Sequence, residues 1–142
     1  MHILIIDALG GGAGKQLVTA IRERFPELEI HAVGTNSIAA SVMLKAGAAY
    51  AATGENAIIV GCRHADIIIG PIGIVIADSL HGEITPAMAT AVAQSNAKRI
   101  LVPFNQCGTI VAGIANTTMS RLIQCAVDEL AKFLNSKEQI KV

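Results

Sequence analysis

The sequence predicts an α/β domain in which helices cover both faces of a sheet of about five parallel strands. Short runs rich in isoleucine, leucine and valine alternate with segments of helical spacing, which is the pattern of repeated βαβ units. The apolar runs show no polar alternation, so both faces of each strand are expected to be buried. A chain of 142 residues also suits one domain, predicted over residues 1–142.

Strands and helices alternate in the predicted order. The strands lie at residues 2–7, 29–33, 48–52, 65–70 and 99–104, and the third is the weakest. The first helix ends before Pro26, the second is closed by Gly47, and the third begins near Glu55. The fourth begins at Thr85 and Pro86, which suit an N-cap and a first helical position. The last carries an apolar face made of Met119, Leu122, Ile123, Ala126, Val127, Leu130 and Leu134. These elements predict a three-layer, doubly wound, Rossmann-like sandwich. Its right-handed crossovers bring the loops after the strands to one edge of the sheet, where ligands of this architecture bind.

The composition argues against nucleic-acid and membrane partners. Eleven basic and eleven acidic residues balance to zero, with one tyrosine, three phenylalanines and no tryptophan, so a basic face and stacking aromatics are both missing. The mean hydropathy is +0.53, but the apolar stretch at residues 67–77 is broken by glycine and proline and is too short to span a bilayer. The first residues lack the features of a signal peptide, which predicts a cytoplasmic location.

Low charge predicts a homo-oligomer. Only 15% of the residues are charged, and such a domain stays dispersed only if it hides apolar surface in a partner. The run IGIVIA at residues 72–77 follows a predicted buried strand, and we interpret it as a subunit interface rather than as an apolar wall over a ligand. Gly70 and Gly73 remain able to line the ligand pocket.

The loop after the first strand, residues 7–15 (DALGGGAGK), is the strongest candidate site. Gly10, Gly11, Gly12 and Gly14 allow the backbone to approach a ligand closely, and the helix that follows offers unpaired N–H groups and a positive dipole end. Together these features predict a site for the phosphate of a small molecule. The alternative is that the glycines serve only a tight turn that packs against the sheet.

Charged residues flank this loop on both sides. Asp7 ends the first strand, and we expect its carboxylate to brace the loop through backbone amides, although a cation or a ligand hydroxyl is an alternative partner. Lys15 lies in the first helical turn, where it is either close enough to neutralise a phosphate or simply solvated.

The loop after the second strand provides a test of cofactor type. NAD-binding domains place an acidic residue there to bind the ribose diol, whereas this chain has Gly34, Thr35, Asn36 and Ser37. These neutral groups can hold a phosphate or a sugar hydroxyl, and at least one is expected to cap the second helix. The pattern therefore favours NADP slightly over NAD, although no arginine follows.

Other candidate catalytic groups are weaker. Ser79, His81 and Glu83 are too crowded along the chain for a catalytic triad, which is assembled from separate elements. Cys62, Cys107 and Cys125 are scattered without a CxxC motif, so we expect small buried apolar residues rather than disulfides or metal ligands. Cys107 alone follows a strand at the ligand edge, where an inert thiol is the expected state and a reactive one the alternative.

Several motifs resemble known families. The P-loop of mononucleotide-binding proteins is disfavoured because Leu9 and Gln16 replace its first glycine and its hydroxyl residue. Ala8, Gly11 and Gly14 follow a GxxGxxG spacing that resembles the loop of extended short-chain dehydrogenases, with alanine for the first glycine. That resemblance implies a dinucleotide cofactor, but the chain has no Tyr-x-x-x-Lys pair.

A second resemblance covers most of residues 1–105. The motifs IDALGGGAGKQLV, GTNSIAASVMLKAGA, ATGENAI and ADIIIGPIGIVI are similar to those of a family of small bacterial proteins, of Firmicutes type, catalogued as a domain of unknown function. This resemblance implies a cytoplasmic bacterial protein and no particular substrate.

Three functional hypotheses follow. The leading one is a protein that binds a nucleotide or dinucleotide at the glycine loop, for redox chemistry or for sensing. The second is an enzyme of phosphorylated small metabolites such as sugar phosphates, in which Asp7 or Cys107 moves protons. The third is a non-catalytic regulatory oligomer whose glycines are structural.

Overall fold

A sheet of five parallel strands in the order β3-β2-β1-β4-β5 forms the centre of the molecule. The computed structural model describes residues 1–104 and 108–140. The strands are β1 (Ile3–Asp7), β2 (Ile30–Gly34), β3 (Tyr50–Thr53), β4 (Ile67–Pro71) and β5 (Lys98–Val102). The parallel sheet confirms the predicted α/β fold, and its strand order is that of the first five strands of the Rossmann architecture.

Helices cover both faces of this sheet. They are α1 (Gly12–Arg24), α2 (Ser37–Lys45), α3 (Glu55–His64), α4 (Pro86–Gln94) and α5 (Met119–Ile140), with a short 3-10 helix at Ile72–Val75 after β4. One apolar core joins the sheet to α1, α2 and α5, and a second joins its other face to α3 and α4. Strand β1 shows why both layers are needed. Ile3 and Ile5 enter the first core, while Leu4 and Ile6 enter the second.

The position of β1 beside β4 determines where a ligand can bind. The chain places α1 and α2 on one face and then crosses to the other face with α3 before it returns as β4. The loops after β1 and β4 therefore separate toward opposite faces and leave a crevice at the carboxyl ends of these strands. Such a reversal of strand order is the usual ligand position in open α/β sheets.

The apolar segment at residues 72–77 is buried only in part. Ile74 is fully buried in the second core, together with Leu80 and Ile84. Ile72, Val75 and Ile76 are only partly buried and Ala77 is exposed, so the interpretation of this segment as a subunit interface stays a prediction.

The cysteines were expected to be small buried residues. Cys62 is buried as expected, whereas Cys125 is exposed on α5, and Cys107 lies outside the described residues. Across residues 1–104 and 108–140, no helix combines the length and the apolar character that crossing a membrane requires.

Candidate functional site

The carboxylate of Asp7 holds the glycine loop through hydrogen bonds from two backbone amides. Its Oδ1 accepts a hydrogen bond from the Ala8 amide at 2.8 Å, and its Oδ2 accepts one from the Gly14 amide at 2.7 Å. The buried carboxylate thus joins the end of β1 to the first turn of α1. This arrangement confirms the expected bracing role of Asp7.

The surroundings of Asp7 raise the pKa of its carboxyl above the ordinary value. Burial is the largest cause, and the nearby negative charge of Glu83 acts in the same direction. The two amide hydrogen bonds from Gly14 and Ala8 oppose the increase because they stabilise the ionised form. The pKa of Asp7 is raised on balance, because burial outweighs the two hydrogen bonds.

Two of the loop glycines are required by packing between helices. A Cβ atom on Gly14 would lie 2.4 Å from Sδ of Met43, and one on Gly11 would lie 2.8 Å from Cα of Ala39. Gly11 also has a left-handed backbone with φ of 75° and caps α1. Both glycines let α1 approach α2 closely, so their presence is explained without a ligand.

Gly10 and Gly12 have no such requirement. A Cβ atom on either residue would meet no atom within 4 Å, and neither has a positive φ. Among residues 1–104 and 108–140, no acceptor pairs with the amides of Gly10, Gly12 and Ala13. These donors lie at the amino-terminal end of α1, where the helix dipole is positive.

A hollow of about 340 Å³ opens beside these two glycines. It lies where the loops after β1, β4 and β5 approach one another. Its lining consists of Asp7, Ala8, Leu9, Gly10, Gly11, Gly12, Ala13, Gln16, Pro71, Leu80, Phe104 and Met119. The loop is therefore accessible, and its far wall is apolar.

Glu83 does not line the hollow but holds the glycine loop in place, a role that the sequence interpretation missed. Its Oε2 accepts from the Leu9 amide at 2.5 Å, and its Oε1 accepts from Nδ2 of Asn36 at 2.7 Å. Asn36 Nδ2 also donates to the Leu9 carbonyl at 2.8 Å. The segment after β4 is thereby tied to the loops after β1 and β2. The available signal was the position of Glu83 after a strand at the ligand edge, but it was weighed only as part of a triad.

The turn that carries Glu83 has an unusual backbone. Asp78, Leu80 and His81 all have left-handed conformations, with φ of 63°, 53° and 56°, as does Leu9 with φ of 55°. Such conformations cost roughly 1–2 kcal/mol for each residue that is not glycine. Ser79 supports the turn, because its hydroxyl donates to the Gly73 carbonyl at 2.5 Å.

The residues predicted after β2 serve mainly local structure. Asn36 caps α2, because its Oδ1 accepts from the Ala39 amide at 2.9 Å. The Thr35 amide donates to the Asp7 carbonyl, and its buried Oγ1 has no partner within the described part of the chain. Ser37 is exposed as the first residue of α2. None of the three lines the hollow.

The remaining predicted residues also lie away from the hollow. A Cβ atom on Gly34 would be 2.5 Å from the Ala40 nitrogen, and one on Gly70 would be 2.4 Å from the Ile6 oxygen. Gly73 is in close contact with Leu80. These three glycines are explained by packing.

Lys15 points into a different cleft. It lines a space between α1 and α5, shared with Ser120 and Gln124. The structure therefore does not bring this lysine into the hollow with the glycine loop. Within the described ranges, no group of three or more histidine, cysteine or acidic side chains is arranged to hold a metal ion.

The strand order and the loop after β1 place the protein in the class of Rossmann-like α/β proteins. Within that class it belongs to the family described as Domain of unknown function (DUF3842), whose model matches residues 2–135. This match confirms the family that the motifs predicted.

Two further comparisons complete this picture. No curated protein matches the chain. A solved structure, the dodecameric FMN-dependent UbiX-like decarboxylase from Escherichia coli O157:H7, is similar with 20% sequence identity and a TM-score of 0.46. The match covers 92% of this chain and 77% of that chain.

Proposed function

We propose that the hollow beside the glycine loop binds the phosphate of a nucleotide, and that the ligand is a dinucleotide of the NAD class. The main support is the contrast among the loop glycines. Gly11 and Gly14 are needed for packing, whereas Gly10 and Gly12 are open and exposed, and their own amides are unpaired within the described part of the chain. Glycine costs roughly 1 kcal/mol relative to alanine in ordered structure, so two glycines without a packing role favour close approach of a ligand.

The shape of the hollow suits an aromatic ring beside the phosphate. Pro71, Leu80, Phe104 and Met119 supply the apolar wall opposite the glycine loop. Ligand sites commonly combine such a wall with a few fixed polar groups. A nicotinamide or adenine ring fits this description better than a sugar phosphate, which has no apolar face of comparable size.

The charges around the hollow limit the number of phosphates. Among the described lining residues there is no lysine, arginine or histidine, so backbone amides and the helix dipole would have to hold the anion. Asp7 and Glu83 add negative charge nearby. A diphosphate is compatible with this setting, whereas a triphosphate without a basic partner is opposed by it.

Glu83 provides the acidic group that the sequence lacks after β2. Its carboxylate reaches Asn36, two positions beyond the end of β2, where dinucleotide-binding folds bind the ribose diol. Each of its oxygens has one hydrogen bond and can accept another. The Glu83 carboxylate would repel a 2′-phosphate there. NAD is therefore favoured over NADP, contrary to the preference drawn from the sequence.

A binding role is favoured over proton transfer by Asp7. Both of its oxygens are engaged by backbone amides, and its bracing function would be lost if it exchanged protons with a substrate. This removes one of the two residues on which the sugar-phosphate hypothesis depends. The other, Cys107, lies outside the described residues.

Thermal-shift titration tests the proposal with NAD, NADP, AMP, ATP, FMN and glucose 6-phosphate. A ligand at 100 times its dissociation constant adds about 2.7 kcal/mol of stability, and we expect NAD to act at the lowest concentration. Gly12→Val should abolish the shift because its side chain enters the hollow, whereas Ala87→Val on α4, outside the hollow, should preserve it.

The competing outcomes are distinct. Glu83→Gln should weaken NAD by about tenfold, which corresponds to about 1.4 kcal/mol, and should strengthen NADP, because the negative charge that repels its 2′-phosphate is removed. A response to FMN or AMP alone would retain the phosphate site and reject the NAD class. A response to glucose 6-phosphate alone would favour the metabolite enzyme. No response to any of these compounds would leave the glycine loop with a structural role only.

A further inference from the structure

The two edges of the sheet differ in their protection against pairing. Edge strand β5 begins with the exposed residues Lys98 and Arg99. Edge strand β3 reads Tyr-Ala-Ala-Thr and is mostly exposed, without a charge or a proline. Charged residues and prolines are the usual means by which proteins prevent an edge strand from adding another strand. Strand β3 is therefore an open template for backbone hydrogen bonds.

Apolar side chains surround the β3 edge. Tyr50 on β3 is 64% exposed, Leu44 on α2 is 48% exposed, and Val60 on α3 is 38% exposed. Helix α2 belongs to the core on one face of the sheet, and α3 belongs to the core on the other. We call the surface formed by Leu44, Tyr50 and Val60 the β3 surface.

A hollow of about 450 Å³ on the α3 side extends this surface. Leu4, Val33 and Val60 contribute to its apolar lining. The rings of His31 on β2 and Tyr50 on β3 line one side of this hollow. The His31 ring centroid lies 4.9 Å from that of Tyr50, in an edge-to-face arrangement. The surface thus combines an unpaired strand with an apolar depression beside it.

We propose that a second copy of this chain covers the β3 surface, with the two β3 strands antiparallel about a two-fold axis perpendicular to the sheet. That axis preserves the two faces, so α2 of one copy faces α2 of the other, and α3 faces α3. The pairing satisfies the open backbone edge and buries Leu44 on one face and Tyr50 and Val60 on the other. It does not depend on nucleotide binding.

The chemistry of the surface favours a second copy over other occupants. An antiparallel pair of identical strands is self-complementary about a two-fold axis, as an isologous dimer requires. Strand β3 carries no charge and the whole chain has a formal net charge of zero, so like-charge repulsion between copies is small. A small apolar ligand would fill the hollow but would leave the backbone of β3 unpaired.

Sedimentation velocity from about 1 µM to about 1 mM, a range that covers moderate and weak dissociation constants, tests the proposal. We expect the wild type to sediment as a multiple of two copies of 14.7 kDa. Tyr50→Lys and Leu44→Lys should lower the mass, because each would bury an unpaired charge in the contact. Ile140→Lys is the matched control, since Ile140 is 81% exposed at the end of α5, and it should keep the wild-type mass.

Hydrogen exchange locates the contact directly. The β3 amides of the wild type should exchange more slowly at high protein concentration, and this dependence should disappear in Tyr50→Lys. A monomer throughout the concentration range would overturn the proposal. An oligomer that persists in both β3-surface variants, with β3 exchange independent of concentration, would also overturn it, because assembly would then use another surface.

Discussion

Gly12→Ala offers a test in which the expected effect on stability is unusual. Gly12 is the first residue of α1, has no positive φ, and has open space at the position of a Cβ atom. Alanine should therefore restrict the unfolded chain without strain in the folded one. The expected gain is about 0.5–1 kcal/mol, or about 2–4 °C in Tm for a domain of this size.

Gly14→Ala is the contrasting variant, two residues further along the same helix. Its new Cβ atom would lie 2.4 Å from Sδ of Met43 and 2.9 Å from Cβ of Asp7. Met43 is fully buried and cannot move away freely. Overpacking of this kind costs about 1–3 kcal/mol. The two alanine substitutions should therefore change stability in opposite directions.

Urea unfolding followed by far-UV circular dichroism is the suitable assay, because the chain has no tryptophan and one tyrosine. The midpoints are compared at equal m-values, so that the shifts report stability. If Gly12→Ala destabilises the protein as much as Gly14→Ala does, the space beside Gly12 is filled. The phosphate proposal would then lose its main support.

Three further predictions concern the surroundings of the loop. Asn36→Ala removes the cap of α2 and the hydrogen bond to Oε1 of Glu83, so urea unfolding should show a loss of about 2 kcal/mol; a loss below a tenth of this would contradict the contacts. Because burial raises the pKa of Asp7, the folded state holds its proton more tightly than the unfolded state. Stability should therefore fall as pH rises from the ordinary carboxyl value of 3.8 through the raised pKa, and this part of the pH profile should be missing from Asp7→Asn; parallel profiles would refute the assignment. Burial raises the pKa of Cys62 to about 11, so this thiol should react slowly in the folded protein. In a Cys107→Ser background, Ellman's reagent should label exposed Cys125 in the folded protein and Cys62 only after unfolding. Fast labelling of both would show that Cys62 is accessible.

The strands were predictable because their signal is local. Strand β1 was placed at residues 2–7 and lies at Ile3–Asp7, and β4 was placed at 65–70 and lies at Ile67–Pro71. Burial on both faces requires an uninterrupted apolar run, which a single sequence displays. Strand β3 gave the weakest signal because it lies at the edge, where exposed positions do not need large apolar residues.

The arrangement of the site was not predictable to the same extent, because it depends on distant residues. The contact between Leu9 and Glu83 spans 74 positions. The separation of packing glycines from open ones depends on Ala39 and Met43, which belong to another helix. The direction of Lys15 likewise depends on where α5 packs against α1. The sequence could indicate a glycine loop, but it could not indicate which of its amides remain available.

The left-handed residues in the turn before Glu83 affect how firmly its carboxylate is held. Selection for heat tolerance alone would replace Asp78 and His81 with glycine, since both are exposed and the change would relieve backbone strain. The same exchange would loosen the position of the nearby carboxylate. Side chains at these two positions therefore keep the turn rigid at the cost of backbone strain, which fits a turn that must hold a carboxylate at a fixed place.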